Sequence, residues 1–105
     1  MKLMHSIVDK IPNISVISKI EVLRHNPSEP VSQILQAFID ECNIFDLTEP
    51  VVDNTIELCK SRRIKLPDAI IAATARVHNF SLVTRNVSDF VNIKSLPLIN
   101  PWEPK

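Results

Sequence analysis

The sequence predicts an α/β domain built on a central parallel sheet, and three observations predict it. Short β-branched or apolar runs alternate with stretches whose apolar residues recur at helical spacing. Serine, threonine or aspartate stands beside a proline where these helical stretches begin. The chain has 105 residues, the length of one ordinary domain, so a single domain spanning 1–105 is expected. Right-handed crossovers between parallel strands would gather the strand C-terminal ends on one rim, where open parallel sheets bind their ligands.

Each element follows from local signals. The run NISVIS, residues 13–18, is β-branched, follows Pro12 and predicts a strand. Residues 19–25 predict a short helix, ended by Asn26-Pro27. Ser28 and Pro30 open a second helix, in which Val31, Ile34, Leu35 and Phe38 form one apolar stripe. IFDL, residues 44–47, predicts a brief strand. Thr48 and Pro50 open a third helix with Val52, Thr55, Ile56 and Cys59 as its buried face, and with Lys60, Arg62 and Arg63 near its negative end. Pro67 and Asp68 open a fourth helix reaching about His78, followed by a strand SLVT at 81–84. Residues 87–90 predict a helical turn and 96–100 a last strand, which Pro97 places at a sheet edge.

Composition removes several functional classes. There is no glycine, against about 7% in ordinary proteins, so glycine-rich phosphate loops and dinucleotide-binding turns are excluded. Turns must instead use Pro, Asn, Asp and Ser. Twelve basic and twelve acidic residues cancel, so nucleic-acid binding would need a local basic patch. Cys42 and Cys59 have no metal-ligand or CxxC spacing, which predicts reduced thiols and a cytoplasmic chain. The N-terminal residues lack a signal-peptide core, and no run approaches the roughly 18–20 apolar residues of a membrane span.

The candidate chemistry gathers at predicted strand ends and helix starts. Glu21 follows the first strand, Asp68 opens the fourth helix, and Asn86 and Asp89 follow SLVT. A magnesium ion takes oxygen ligands and keeps several waters, so a few carboxylates suffice to hold it. Taken singly, each residue has an ordinary structural role. Asp68 serves as a helix cap, Glu21 as a solvated helix charge, Asn86 as a turn residue and Asp89 as a local cap. The basic run Lys60, Arg62, Arg63 and Lys65 reads equally as a solvated helix terminus or as a phosphate-contacting patch. The alanines at 69, 72, 73 and 75 let a helix pack closely on a sheet.

The combination is more specific than its parts. ISVISKIEVL around Glu21, LPDAIIAATA around Asp68, LVTRNVSDF and then LPLINP resemble, in order and spacing, the PIN-domain family. Within it they resemble the VapC-like toxin ribonucleases of type II toxin–antitoxin modules. The resemblance implies a PIN-like three-layer sandwich with a central parallel sheet and an acidic cluster holding Mg²⁺ or Mn²⁺. It implies cleavage of RNA phosphodiester bonds by a metal-activated water. Glu21 and Asp68 match two of the family's acids, Asn86 or Asp89 its remaining polar ligand, and Thr84 a position that supports the cluster. Arg62, Arg63, Lys65 and Arg85 are the residues expected to contact nucleic acid.

One departure stands out. The family's first strand carries an Asp, typically in a Leu-Asp-Thr-Asn segment, and no such segment precedes ISVIS here. Asp9 lies in a helical-looking stretch and is not matched to that Asp. The chain is therefore expected to be N-terminally truncated relative to the family, with a weakened metal site and a gap in the sheet. Another chain, a rearranged N-terminus or a swapped segment would have to fill that gap. The resemblance further implies an antitoxin partner covering the groove, with the apolar helix at 31–39 as its contact face. An impaired domain that binds such a partner, or itself as a homodimer, is the alternative to an active ribonuclease.

Overall fold

The computed structural model describes residues 3–5, 11–24, 28–84 and 87–100. The predicted helix end at Asn26-Pro27 lies outside them. The elements run β1 (Leu3–His5), β2 (Asn13–Ser15), α1 (Val16–Leu23), α2 (Glu29–Asp40), β3 (Asn43–Phe45), α3 (Glu49–Ser61), α4 (Leu66–Val77), β4 (Ser81–Val83), a 3₁₀ turn (Val87–Asp89) and β5 (Leu98–Ile99). The strands form one sheet in the order β3-β2-β1-β4-β5. As predicted, β2 pairs with β3 and β4 with β5 in parallel, and β5 is an edge strand.

The middle of the sheet departs from the expectation of uniformly parallel strands. β1 lies between β2 and β4 and runs antiparallel to both, with Met4 opposite Asn13 on one side and Leu82 on the other. The place where a gap was expected is thus occupied by the chain's own N-terminal segment. A central position pairs both backbone edges of a strand, so even three residues there join two parallel pairs into one sheet.

The long β-branched run divides at Ser15. Ser15 keeps an extended backbone (φ −71°, ψ 151°) and its Oγ accepts a hydrogen bond from the Ile17 N–H at 3.0 Å. That cap satisfies one of the orphan donors of a helix start, and residues 16–18 join α1 rather than continuing the predicted strand. Asn13, buried on β2, accepts at Oδ1 from Asn43 Nδ2 at 3.0 Å across the parallel pair. The two residues are partners in the β2–β3 register, and a one-residue slip would separate them.

α4 is the hub. Every residue from Ala69 to Ala75 is buried, so the helix is covered all round. It packs on α3, α1, β2 and β4. The alanines remove the side-chain bulk that would hold these neighbours apart, and Thr74 satisfies its hydroxyl on the Ile70 carbonyl at 2.7 Å. α3 buries Val51, Thr55 and Leu58 against this hub. Of the predicted face Thr55 is buried, whereas Val52 is half-buried and Ile56 (48% exposed) and Cys59 turn outward, so the buried face is rotated from the expected one. Both phases carry apolar side chains, and only the position of α4 chooses between them.

α2 departs further. Three of its four predicted stripe residues are exposed: Val31 is 44% exposed, Ile34 67% and Phe38 36%, whereas Leu35 is half-buried and Ile39 is the buried residue. α2 packs mainly on α1, so the amphipathic pattern is present but this chain does not cover it.

The far end of α4 shows how a chain without glycine turns. Asn79 takes the left-handed conformation (φ 59°), the Phe80 N–H bonds the Ala75 carbonyl at 2.8 Å, and the Asn79 N–H bonds that of Arg76 at 3.2 Å. This closes the helix in a Schellman-type cap, with asparagine where glycine is usual. Phe45, His78 and Phe80 then cluster, with the Phe45 ring 4.6 Å from His78 and 5.2 Å from Phe80. Asn79→Ala is expected to destabilise the fold by about 1 kcal/mol, because a Cβ without a local hydrogen-bonding group disfavours φ > 0, whereas Asn79→Gly should be at least as stable as wild type. Urea-unfolding midpoints of the three proteins check this; three equal midpoints would contradict it.

Candidate functional site

The N-terminal end of α4 opens into a cleft. α3 ends at Ser61, the chain crosses from Arg62 to Lys65 in extended form, and α4 begins at Leu66. Opposite stands the 3₁₀ turn that follows β4. The open space between them has a volume of about 640 Å³ and is lined by Cys59, Arg62, Arg63, Ile64, Lys65, Asp68, Ser88 and Asp89.

Two predicted acids share this cleft. Asp68 is in the first turn of α4, one turn past its N-cap Lys65, and is half-buried. Its carboxylate therefore sits beside the positive end of the helix and is not the cap itself. Asp89 closes the 3₁₀ turn and is exposed. The turn is fixed from beneath. Phe90 is fully buried, its N–H bonds the Val87 carbonyl at 3.0 Å, and Ile93 and Leu96 follow it into the core.

The remaining predicted residues are placed elsewhere. Glu21 is half-buried on α1 and is not among the residues lining the cleft. Thr84 is buried and does not line the cleft, its N–H bonded to the Ile99 carbonyl at 2.9 Å. Asp9, Arg85 and Asn86 lie outside the described residues. Among the described residues no three His, Cys, Asp or Glu side chains converge. What the cleft does offer a cation is the oxygen chemistry of Asp68 and Asp89, with the Ser88 hydroxyl beside them. One or two carboxylates completed by water suit a magnesium-like ion, so this donor set fits the class of metal predicted from the sequence.

The basic run sits in the same place. Arg62, Arg63 and Lys65 line the cleft, while Lys60 does not. Sequence reasoning missed Cys59, Ile64 and Ser88. Cys59 had been assigned to the buried face of its helix, and the phase shift of α3 turns it outward into the cleft.

The two cysteines differ in kind. Cys59 is exposed, whereas Cys42 is half-buried with its Sγ 3.3 Å from the Phe38 carbonyl. Burial, and secondarily the charge of Glu41, push the Cys42 thiol above its usual pKa. A raised pKa lowers the thiolate fraction at neutral pH, and the thiolate is the reactive form. Limited iodoacetamide treatment at pH 7 should therefore alkylate Cys59 before Cys42, as read by peptide mass spectrometry; equal labelling would contradict the placement.

Comparison with known proteins agrees with this architecture. The PIN domain profile matches residues 11–95. A chain of a toxin-antitoxin complex from Klebsiella pneumoniae is 31% identical and superposes with a TM-score of 0.73, covering 86% of this chain and 73% of that one. A chain of VapBC2 from Rickettsia felis, bound to a DNA fragment from its promoter, is 27% identical with a TM-score of 0.70 over 84% of this chain and 73% of that one. FitAB bound to the IR36 DNA fragment is alike in fold, at 21% identity and a TM-score of 0.67 over 87% and 73%. No curated protein matches the sequence. With the profile spanning β2 through the turn that carries Asp89, this chain belongs to the PIN domain family.

Proposed function

We propose that this chain is the toxin component of a toxin–antitoxin pair, a cytoplasmic endoribonuclease formed by a single domain over residues 1–105. The observation that carries this reading is the meeting of Asp68 and Asp89 with Arg62, Arg63 and Lys65 in one open cleft. Phosphodiester cleavage needs both signs of charge in one place: carboxylates for a cation, and cations for the substrate backbone. The likeness to chains from toxin–antitoxin complexes supports the same reading.

The roles divide by charge. Asp68 and Asp89 would hold a divalent ion, Mg²⁺ or Mn²⁺, with Asn86 and Glu21 as further oxygen donors and Thr84 supporting the cluster from behind. Such an ion, when bound, supplies an activated water and neutralises charge on the phosphate. Arg62, Arg63, Lys65 and Arg85 draw in the RNA backbone and fix its position. Asp68, placed on the first turn of a helix whose middle is buried, keeps its carboxylate at a set distance from that backbone. Free thiols at Cys42 and Cys59 accord with a reducing compartment, and among the described residues no helix is long and apolar enough to cross a membrane.

A second reading has its own support. Glu21 is not among the residues that line the cleft, and the apolar face of α2 is exposed. A domain with weak turnover would still bind an antitoxin, or a second copy of itself, through Val31, Ile34 and Phe38. Three scattered exposed apolar residues are ordinary on a surface, but three on one helix face at i, i+3 and i+7 form a docking stripe.

Two measurements separate these readings. Wild-type protein should cut RNA in Mg²⁺ or Mn²⁺, lose the activity in EDTA, and lose about 100-fold or more in rate as Asp68→Asn, equivalent to roughly 2.7 kcal/mol of barrier. Metal-dependent cleavage of equal rate in both proteins would remove Asp68 from the site, and no cleavage by wild type would leave the binding reading. Ile34→Glu should abolish self-association or antitoxin binding while leaving the melting temperature within a few degrees of wild type, since an exposed position tolerates charge. Static light scattering, with and without the antitoxin, reads this directly.

A further inference from the structure

Arg62 differs from the other two cations of the cleft. Arg63 and Lys65 are exposed, whereas Arg62 is half-buried. Its Nη1 donates to the Val91 carbonyl at 3.4 Å, and its Nε is buried without a hydrogen-bond partner. Among the described residues Arg62 makes no ion pair, although Asp68 and Asp89 line the same cleft. Val91 follows the buried Phe90, so the carbonyl that Arg62 grips is part of the wall that carries Ser88 and Asp89. The guanidinium therefore bridges the two walls of the cleft, with its stem on the α3 side and its head on the turn.

A guanidinium in this position has a clear chemical use. Its charge is permanent and its planar fork matches the oxygens of a phosphate. One amino group tethered to a carbonyl fixes the plane of the fork, so less side-chain freedom is lost when an anion arrives. An underused donor set on a charge with no acidic partner is also costly in the protein alone and is relieved by an anionic ligand. We propose that Arg62 is an anchored phosphate-binding residue, through which the cleft holds a nucleic-acid backbone independently of any divalent ion. This rests on the nuclease reading for the identity of the anion. It separates two functions that the sequence left merged, with Arg62 gripping one phosphate while Arg63 and Lys65 contribute exposed, screened attraction.

The test measures binding without metal. A short fluorescein-labelled single-stranded RNA is titrated with the full chain in EDTA at several salt concentrations, and anisotropy is followed. Wild type should bind, and Arg62→Gln should weaken binding about tenfold and lower the salt-dependence slope by about one. Arg24→Gln, which removes an exposed charge outside the cleft, should change neither. Arg62→Lys keeps the charge and the stem but loses the fork, so it should still bind several-fold more weakly than wild type; it also decides the matter should Arg62→Gln fail to fold. Absence of wild-type binding in EDTA would overturn the proposal, as would Arg62→Lys binding equal to wild type. Metal-dependent cleavage is scored separately, so loss of turnover with intact EDTA binding counts against the nuclease reading alone.

Discussion

The packing of α4 is the constraint on which the rest of the structure depends. Seven consecutive buried residues, Ala69 to Ala75, leave no solvent face to the middle of this helix. A helix in that position must be narrow, because α3, α1 and the two strands β2 and β4 all approach it. Five of the seven are alanine or threonine at positions where a leucine would force the neighbours outward, and interiors packed to crystal-like density resist such additions. The same constraint creates the cleft. α4 has to emerge from the core somewhere, and Asp68 lies one residue before its buried stretch begins. The carboxylate is rigid because everything after it is fixed.

The absence of glycine shapes the second wall. Positive φ angles fall on Asn79, Asn92 and Ser95. Asparagine visits that region at modest cost because its side chain bonds locally, whereas serine gains less. Two of the three lie in the segment after the 3₁₀ turn, where Phe90, Ile93 and Leu96 alternate into the core. Burial of those three side chains outweighs the backbone strain of the residues between them. The result is a loop whose carbonyls and acids, Val91 and Asp89 among them, have set positions without regular secondary structure.

The cleft's charge distribution follows from this frame. Three cations from the α3–α4 crossing face two acids, one from α4 and one from the turn. Arg62 bonds a main-chain carbonyl, and the Glu57–Arg76 pair at 3.1 Å joins α3 to α4 outside the residues that line the cleft. A surface pair of that kind contributes little to stability. The cleft therefore presents charges of both signs to solvent.

Much of the fold was legible in the sequence, for identifiable reasons. Proline with serine, threonine or aspartate marked the starts of α2, α3 and α4, and proline the edge position of β5, because those residues act on their own backbone. The motif around Asp68 and the segment ending at Asp89 pointed to one rim, and both side chains line the cleft. One boundary was misplaced although its signal is local: Ser15 converts half of a β-branched run into helix, since its cap hydrogen bond outweighs a weak strand propensity. Three matters lay beyond the sequence. The phase of α3 depends on which of two apolar faces meets α4. The outward stripe of α2 has the periodicity of a buried helix, and periodicity records that a face is apolar without recording what covers it. The central place of Leu3–His5 is likewise a tertiary outcome, because three residues carry no pattern of their own. Local chemistry determined where elements begin and end; only packing between distant segments decided which faces turn inward and which charges meet.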